Sequence, residues 1–338
     1  MQIYDYLWLG GNDEFRTKVR ILNIESAGFH NIPNINDISK WNYDGSSTKQ
    51  ASGFDSEIIL KPCAVFKSPF TTKDIPRYIV LCETFDKNDN PLENNHRQWA
   101  KEVFDKYVDQ YPWYGLEQEY FIYDPKTNKP LGFDKDANQG QYYCSVGTLN
   151  TFGRNVAETH MMYCLRAGIN LSGINAEVAP GQWEFQVGPC EGIDAGDQLL
   201  VARYLLELVA EERGLVLVWH PKPLQGDING SGCHTNFSTL KMRELNGLIV
   251  IEKALEKLAL KHQEHLEVYG KDNNLRLTGE HETSNMEKFT VGRANRGASV
   301  RIGNDTINSK RGYFEDRRPA SNCNPYLVTA KILETIES

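Results

Sequence analysis

The sequence has no C-x-x-C pair. Its seven cysteines stand singly at 63, 82, 144, 164, 190, 233 and 323. That odd, scattered set argues against a disulfide framework and against a structural zinc site. No apolar run approaches the length of a membrane span. No block of Lys and Arg could track a nucleic-acid backbone, and the net charge of −8 points the same way. The first residues, "MQIYDYLWLGGNDEFR", carry acids and aromatics where a signal peptide has a basic end and an apolar centre, so the reading is cytoplasmic. There is no G-x-x-x-x-G-K-[ST], no G-x-S-x-G and no H-E-x-x-H, and the glycines of "NGSGCH" do not complete a G-x-G-x-x-G. P-loop, serine-hydrolase, zinc-protease and dinucleotide-binding signatures are therefore all missing. Internal repeats and low-complexity tracts are absent too.

What remains is an ordinary globular composition: 338 residues, 40% hydrophobic and 24% charged, enough for two domains or one large one. Residues 1 to about 90 read as strands, in "DYLWLGG", "TKVRILN", "SEIILKPCAVFK" and "RYIVLCETF", separated by turn residues. The polar stretch "DKNDNPLENN" (86–95) is the boundary, dividing a domain at 1–92 from one at 93–338. A helix capped by Asn95 is expected to run to about Asp109. Further helices are expected in "RNVAETHMMYCLRAG", closed by Gly168, and in "GDQLLVARYLLELVAEERG", closed by Gly214. One long helix is expected over "NGLIVIEKALEKLALKHQEHLEVYG", with Leu248, Ile251, Leu255, Leu258, His262 and Leu266 at helical spacing. His262 and His265 read as surface residues of that helix. Residues 270–325 are rich in Gly, Asn and Arg with little periodicity, which is common in functional segments.

The chemistry gathers in a few places. In "WYGLEQEYFIY" (113–123), strand alternation puts Glu117 and Glu119 on one face and Gln118 and Tyr120 on the other. Two carboxylates so close must share a proton, meet a cation or face water. "NAEVAPGQWEFQVG" places Glu177 and Glu184 seven apart across a Pro-Gly turn, one acid on each arm of a hairpin. Glu315 stands in "GYFEDRRP" and His234 in "NGSGCHTNFS", where Cys233 reads as a small buried neighbour rather than a nucleophile. Five carboxylates and one imidazole suit Mg²⁺ or Mn²⁺ better than zinc. Arg276, Arg293, Arg296, Arg301, Arg311, Arg317 and Arg318 crowd the same C-terminal stretch. Arg293 and Arg311 are expected in surface ion pairs. The others, with the cations, supply what phosphoryl transfer needs: alignment and charge stabilisation. From the residues alone, a Mg²⁺-dependent phosphoryl-transfer enzyme follows, with a two-metal phosphatase close behind.

In order, "WNYDGSST", "GLEQEY", "NAEVAPGQWEFQVGPCEGID", "NGSGCHTNFST", "RLTGEHETSN", "ANRGASVRI" and "GYFEDRRP" resemble glutamine synthetase in its eukaryotic (type II) form, from about Tyr6 to Thr329. The resemblance implies an α+β fold: an N-terminal β-grasp domain and a C-terminal catalytic domain whose antiparallel sheet is flanked by helices, as in the guanido kinases. It implies the ligation of ammonia to the γ-carboxylate of L-glutamate through γ-glutamyl phosphate, with ATP as co-substrate and two to three Mg²⁺ or Mn²⁺ per site. Glu119, Glu177 and Glu184 match the ligands of one metal, and Glu117, His234 and Glu315 those of a second. Arg276 matches the residue that holds the substrate α-carboxylate, beside Asn229 and Gly230. Arg296, Arg301 and Arg317 match phosphate-binding arginines. Trp113, Asn236, Ser238, Arg243 and Tyr313 match nucleotide contacts. Asp44 matches the acid that binds ammonium and takes its proton, and Glu282 the acid of a flap that closes over the intermediate. The resemblance further implies active sites completed between subunits of a homo-oligomer, a decamer of two stacked pentameric rings. The tyrosine segment that carries nucleotidylation in bacterial type I enzymes has no counterpart here. Two other readings are a ligase joining glutamate to a larger amine, and a structural relative without activity. Retention of Asp44 argues against the first, and retention of every matched ligand against the second.

Overall fold

The aromatic and β-branched runs of the first ninety residues form the strands expected of them. In the computed structural model, which describes residues 1–23, 32–133 and 139–338, β1 (Gln2–Leu9), β2 (Phe15–Leu22), β4 (Glu57–Lys67) and β5 (Arg77–Phe85) are joined by β3 (Trp41–Asp44), a short strand that sequence reading did not separate from its turn. They make one sheet in the order β2-β1-β5-β4-β3, antiparallel except where β1 lies parallel to β5. Tyr4, Tyr6 and Trp8 alternate along β1 and pack with Tyr43, Ile58, Leu60, Tyr78 and Val80 as this sheet's core. The chain clusters into two units, Met1–Trp99 with Tyr163–Ile169, and Ala100–Met162 with Asn170–Ser338.

Helix α1 (His96–Lys106) begins one residue past Asn95 and stops short of Asp109, where a 3₁₀ turn (Val108–Gln110) takes over. The second unit is built on a nine-stranded sheet. Its strands are β6 (Trp113–Asp124), β7 (Lys129–Pro130), β8 (Leu171–Ala176), β9 (Gln182–Glu191), β10 (Val216–Val218), β11 (Cys233–Ser238), β12 (Val291–Arg293), β13 (Val300–Ile302) and β14 (Phe314–Asp316). The order is β12-β13-β14-β11-β6-β9-β8, with β7 and β10 also on β6. Among the described strands of this sheet, β12 and β13 alone pair in parallel. The α+β class and the antiparallel sheet are as expected.

Helices α2 (Arg154–Ala167) and α3 (Asp194–Glu212) end before Gly168 and Gly214, both with left-handed backbone. They are followed by α4 (Leu240–Arg243), α5 (Gly247–Leu260), α6 (His262–Val268), α7 (Asn304–Ser309) and α8 (Pro325–Glu337). The expected single helix over 246–270 is two, α5 and α6. Lys261, at φ −105° and ψ 18°, breaks it. The reading of His262 and His265 as surface residues is also corrected, because both are buried. His265 Nδ1 meets the Tyr269 hydroxyl at 2.6 Å and its Nε2 meets Thr335 Oγ1 at 2.9 Å, so the imidazole replaces water with protein partners.

Beneath the end of β14, Asp316 and Arg318 form a fully buried ion pair. Arg318 Nε donates to Oδ1 at 2.9 Å and Nη2 to Oδ2 at 2.6 Å, and Tyr269 donates to Oδ2 at 2.7 Å. Burial pushes the Asp316 carboxyl up, but Arg318 and Tyr269 outweigh it and hold it below its ordinary range. Arg318→Leu strands that charge. It should cost about 3–5 kcal/mol in denaturant unfolding, with part recovered in Arg318→Leu/Asp316→Asn. An unchanged midpoint would refute this account of the pair.

Candidate active site

Strand β6 is the axis of the site. Tyr114, Leu116, Gln118 and Tyr120 are buried on one face, which fixes the register and turns Glu117 and Glu119 to the other. Across to β9, Glu119 stands opposite Glu184 and Glu117 opposite Gln186. Across to β11, Glu117 stands opposite His234. One strand further, Glu315 of β14 lies opposite Asn236, and Arg301 of β13 opposite Glu315. Glu177 sits one residue past β8, and its N–H closes the β8–β9 hairpin onto the Gln182 carbonyl at 2.9 Å. Directly opposed residues have Cβ atoms about 5 Å apart, so the sheet register itself collects the acids.

These side chains line a cavity of about 670 Å³ with Asn229, Gly230, Arg276, Glu282, Arg296, Arg301 and Arg317. Glu315 adjoins it, accepting from Arg317 Nη1 at 2.6 Å and from Arg301 Nε. Burial, then repulsion from Glu117, Glu119 and Glu177, pushes the Glu184 carboxyl up to about 9. Glu177 is raised by burial and by Glu119. Glu119 is raised by burial, which outweighs Arg276. Each carboxylate is aimed by a neighbour. Gly232 N–H (2.9 Å) and Gln182 Nε2 (3.2 Å) donate to Glu119, Asn175 Nδ2 (2.9 Å) donates to Glu177, and Asn236 Nδ2 (2.7 Å) donates to Glu117.

His234 turns Nδ1 toward Glu117 (3.5 Å) and Glu315 (3.7 Å) and accepts from Arg276 Nη2 through Nε2 at 3.0 Å. Burial first, and then the charge of Arg317, hold it well below the ordinary imidazole range, so the ring is neutral. One ligand atom from each of Glu117, His234 and Glu315 falls within 4.8 Å of the others, the spacing of a shared cation. Glu119, Glu177 and Glu184 repel one another in a way that a second hard cation relieves. The donor sets therefore fit Mg²⁺ or Mn²⁺ chemically.

Arg276 is buried, and burial lowers its guanidinium to about 10. It donates to the Arg317 carbonyl at 3.0 Å and the Arg318 carbonyl at 3.3 Å. Glycine makes room for it. A Cβ on Gly232 would lie 2.5 Å from Arg276 Nη2, and one on Gly230 would lie 2.8 Å from its Cγ. The glycines of "NGSGCH" serve this close approach.

A second group forms at the N-terminal end of β6, where Trp113 stands opposite Ser238. The Arg243 guanidinium lies 4.0 Å over the Trp113 ring, with Nη1 donating to Ser238 Oγ at 2.9 Å. Asn236 links this group to Glu117, and half-exposed Tyr313 precedes β14. None of the five lines the acid cavity. Asp44 belongs to the first unit and caps the 3₁₀ turn Gly45–Thr48. Hydroxyls of Ser47 (2.6 Å), Ser56 (2.6 Å) and Ser46 (2.7 Å) donate to it and hold it far below the usual carboxylate range. Cys233 is buried, and Arg293 pairs at the surface with Glu252 at 3.3 Å. Sequence reading missed the cavity residues Tyr143, Asn175, Gln186, His281 and Thr283. Gln186 carried a signal, since it lies two residues past Glu184 and so on the same face of β9.

The family model for the glutamine synthetase catalytic domain matches residues 93–259. The chain is 54% identical over 336 residues to a putative glutamine synthetase of Acanthamoeba polyphaga mimivirus, covering 99% of this chain and 94% of that protein. It is 50% identical to the glutamine synthetase of Agaricus bisporus, covering 98% and 92%. It is also 50% identical to the glutamine synthetase cytosolic isozyme 1-2 of Oryza sativa subsp. japonica, covering 98% and 93%.

The raised acids give a signed pH dependence. Glu184 binds its proton up to about pH 9 when folded, against an ordinary 4.5. Unfolding above pH 4.5 therefore releases protons, and the stability of the metal-free protein falls as pH rises through the folded value. Melting temperatures of the chelator-treated protein should drop from pH 5 toward about pH 9, and added Mg²⁺ should flatten the drop. Glu184→Gln should shrink it. A metal-free profile that rises with pH would refute the charge reading.

Proposed function

The chain belongs to the glutamine synthetase family, and from that premise we propose how its cavity makes glutamine. The overall reaction is ATP + L-glutamate + ammonia → L-glutamine + ADP + phosphate. The observation that carries the reading is the opposition, inside one cavity, of a carboxylate ladder and a set of arginines. Glutamate's γ-carboxylate is a poor electrophile until it takes the γ-phosphoryl group of ATP. The resulting γ-glutamyl phosphate has phosphate as its leaving group.

Arg276, beside Asn229 and Gly230, would bind the glutamate α-carboxylate, for which its buried fork is suited. Arg296, Arg301 and Arg317 would hold the phosphoryl oxygens as charge builds on them. Glu119, Glu177 and Glu184 would hold one divalent cation, and Glu117, His234 and Glu315 another. Such cations supply neutralisation and alignment of the phosphoryl oxygens. Trp113 stacked on Arg243, with Asn236, Ser238 and Tyr313, would receive the nucleotide. Glu282 would close over the intermediate, excluding water that would hydrolyse it.

Ammonium must lose a proton before it attacks. Asp44, kept ionised by its serine hydroxyls, would draw in the cation and accept that proton. We place it in the site of a neighbouring subunit, in a decamer of two pentameric rings. In this reading the domain division falls at 92/93. No helix among the described residues is long and apolar enough to cross a membrane, and we place the reaction in the cytoplasm.

Purified protein should form glutamine from glutamate and ammonium with ATP and Mg²⁺. Glu119→Ala should lower kcat at least ~10²-fold, the scale of losing charge stabilisation in the transition state. ATP consumption with a larger amine in place of ammonium would favour the amine-ligase reading instead. Asp44→Ala and Glu119→Ala, each inactive, should recover activity when unfolded and refolded together. Failure to complement, beside active refolded wild type, would place Asp44 within its own subunit's site.

A further inference from the structure

His262, expected at a surface, is clamped between two segments of the second unit. Arg318 Nη1 donates to its Nδ1 at 2.9 Å. Arginine keeps its protons, so the ring proton sits on Nε2. Nε2 in turn donates to the Met286 carbonyl at 2.8 Å. Arg318 is itself locked to Asp316 by two hydrogen bonds. The neighbouring Arg317 donates through Nη2 to the Glu282 carbonyl at 3.2 Å. Adjacent arginines thus hold the segment at two carbonyls, Arg317 directly and Arg318 through His262. At the first of those points His281 and Glu282 both carry left-handed backbone, at φ +51° and +58°. Side chains other than glycine resist that conformation, so outside contacts must hold it. A Thr278–Asn285 bridge and a bond from Thr283 Oγ1 to the Arg276 carbonyl (3.1 Å) also tie the segment back.

We propose that His262 is a positioning residue for glutamine synthesis. It touches no substrate, but through the Met286 carbonyl it holds the 282–286 segment, and with it Glu282, at the cavity mouth. This rests on the reading of Glu282 as the closing acid. A segment set loose admits water to γ-glutamyl phosphate. Water then displaces phosphate and regenerates glutamate, and the net reaction is ATP + H₂O → ADP + phosphate.

The readout is phosphate released per glutamine formed, measured on the full-length assembled protein with ATP, Mg²⁺, glutamate and ammonium. Wild type should give a ratio near one. In His262→Asn the amide oxygen can still accept from Arg318, but the 2.8 Å bond to the Met286 carbonyl is lost and only the longer one from Gln263 Nε2, at 3.4 Å, remains. Glutamine formation should fall about fivefold, the factor carried by one net hydrogen bond, and the ratio should rise above one. His262→Gln extends its amide N–H toward Met286 and should restore both. A ratio of one in His262→Asn overturns the inference, whether activity is intact or phosphate and glutamine fall together. Glu282→Gln, run alongside, separates the two readings. If it raises the ratio while His262→Asn does not, only the role of His262 fails. If it leaves the ratio at one, closure by Glu282 fails, and the inference with it.

Discussion

Repulsion among carboxylates on one sheet face is the constraint to which the rest of the site answers. Glu119 and Glu184 directly oppose each other, Glu117 lies two residues along, and Glu177 stands at the hairpin end. Burial makes the charged forms costly and mutual repulsion makes them costlier, which is why the Glu184 carboxyl rises to about 9. Such a cluster persists only if the backbone beneath it cannot slip. The opposite face of β6 supplies that lock: Tyr114 donates to the Thr329 carbonyl at 2.8 Å, and Gln118 accepts from Arg203 Nε at 2.8 Å. A slip of one residue would turn both glutamates into that packed layer.

The arginines are organised differently. Arg301 stands on β13, but Arg276, Arg296 and Arg317 come from irregular backbone, where no ladder sets their spacing. They anchor one another through main-chain oxygens instead. Arg276 donates to the carbonyls of Arg317 and Arg318, and Arg317 donates to those of Arg296 and Glu282. Carbonyls satisfy guanidinium protons without cancelling their charge, whereas Glu315 offsets charge at Arg301 and Arg317. Strands hold most of the acids, and a mutually braced loop region holds most of the guanidinium groups.

The strand-borne half of the site was legible in the sequence because its information is local. Period-two alternation in "GLEQEY" and "QWEFQV" fixes which face each acid occupies, and the Pro-Gly turn fixes the hairpin. Strand β3 was too short to register as a period. The helical stripe through Leu255, Leu258 and His262 was real, but it continued across the break at Lys261, where only the backbone angles change. His262 and His265 were misread because their partners, Met286, Arg318 and Thr335, lie 24, 56 and 70 residues away. No window of sequence contains them. The arginines could be counted from composition, but their order of support could not.

Glu282 sits on a loop rather than a strand for a physical reason. In the proposed reading Glu282 closes after substrates enter, and a group with that task cannot belong to the ladder that holds the metal-ligand candidates, because strand and ladder move together. Left-handed backbone at His281 and Glu282 stores strain of order 1 kcal/mol or more per residue. A segment in that state returns to a less strained path once its contacts are released. The contacts that hold it run through Arg317, which also binds Glu315 beside His234. Glu315 and Arg317 thus link the candidate cation site directly to the Glu282 backbone. Under the proposed function the same side chains would stabilise phosphoryl charge and hold the closing segment, which would couple the chemistry to the exclusion of water.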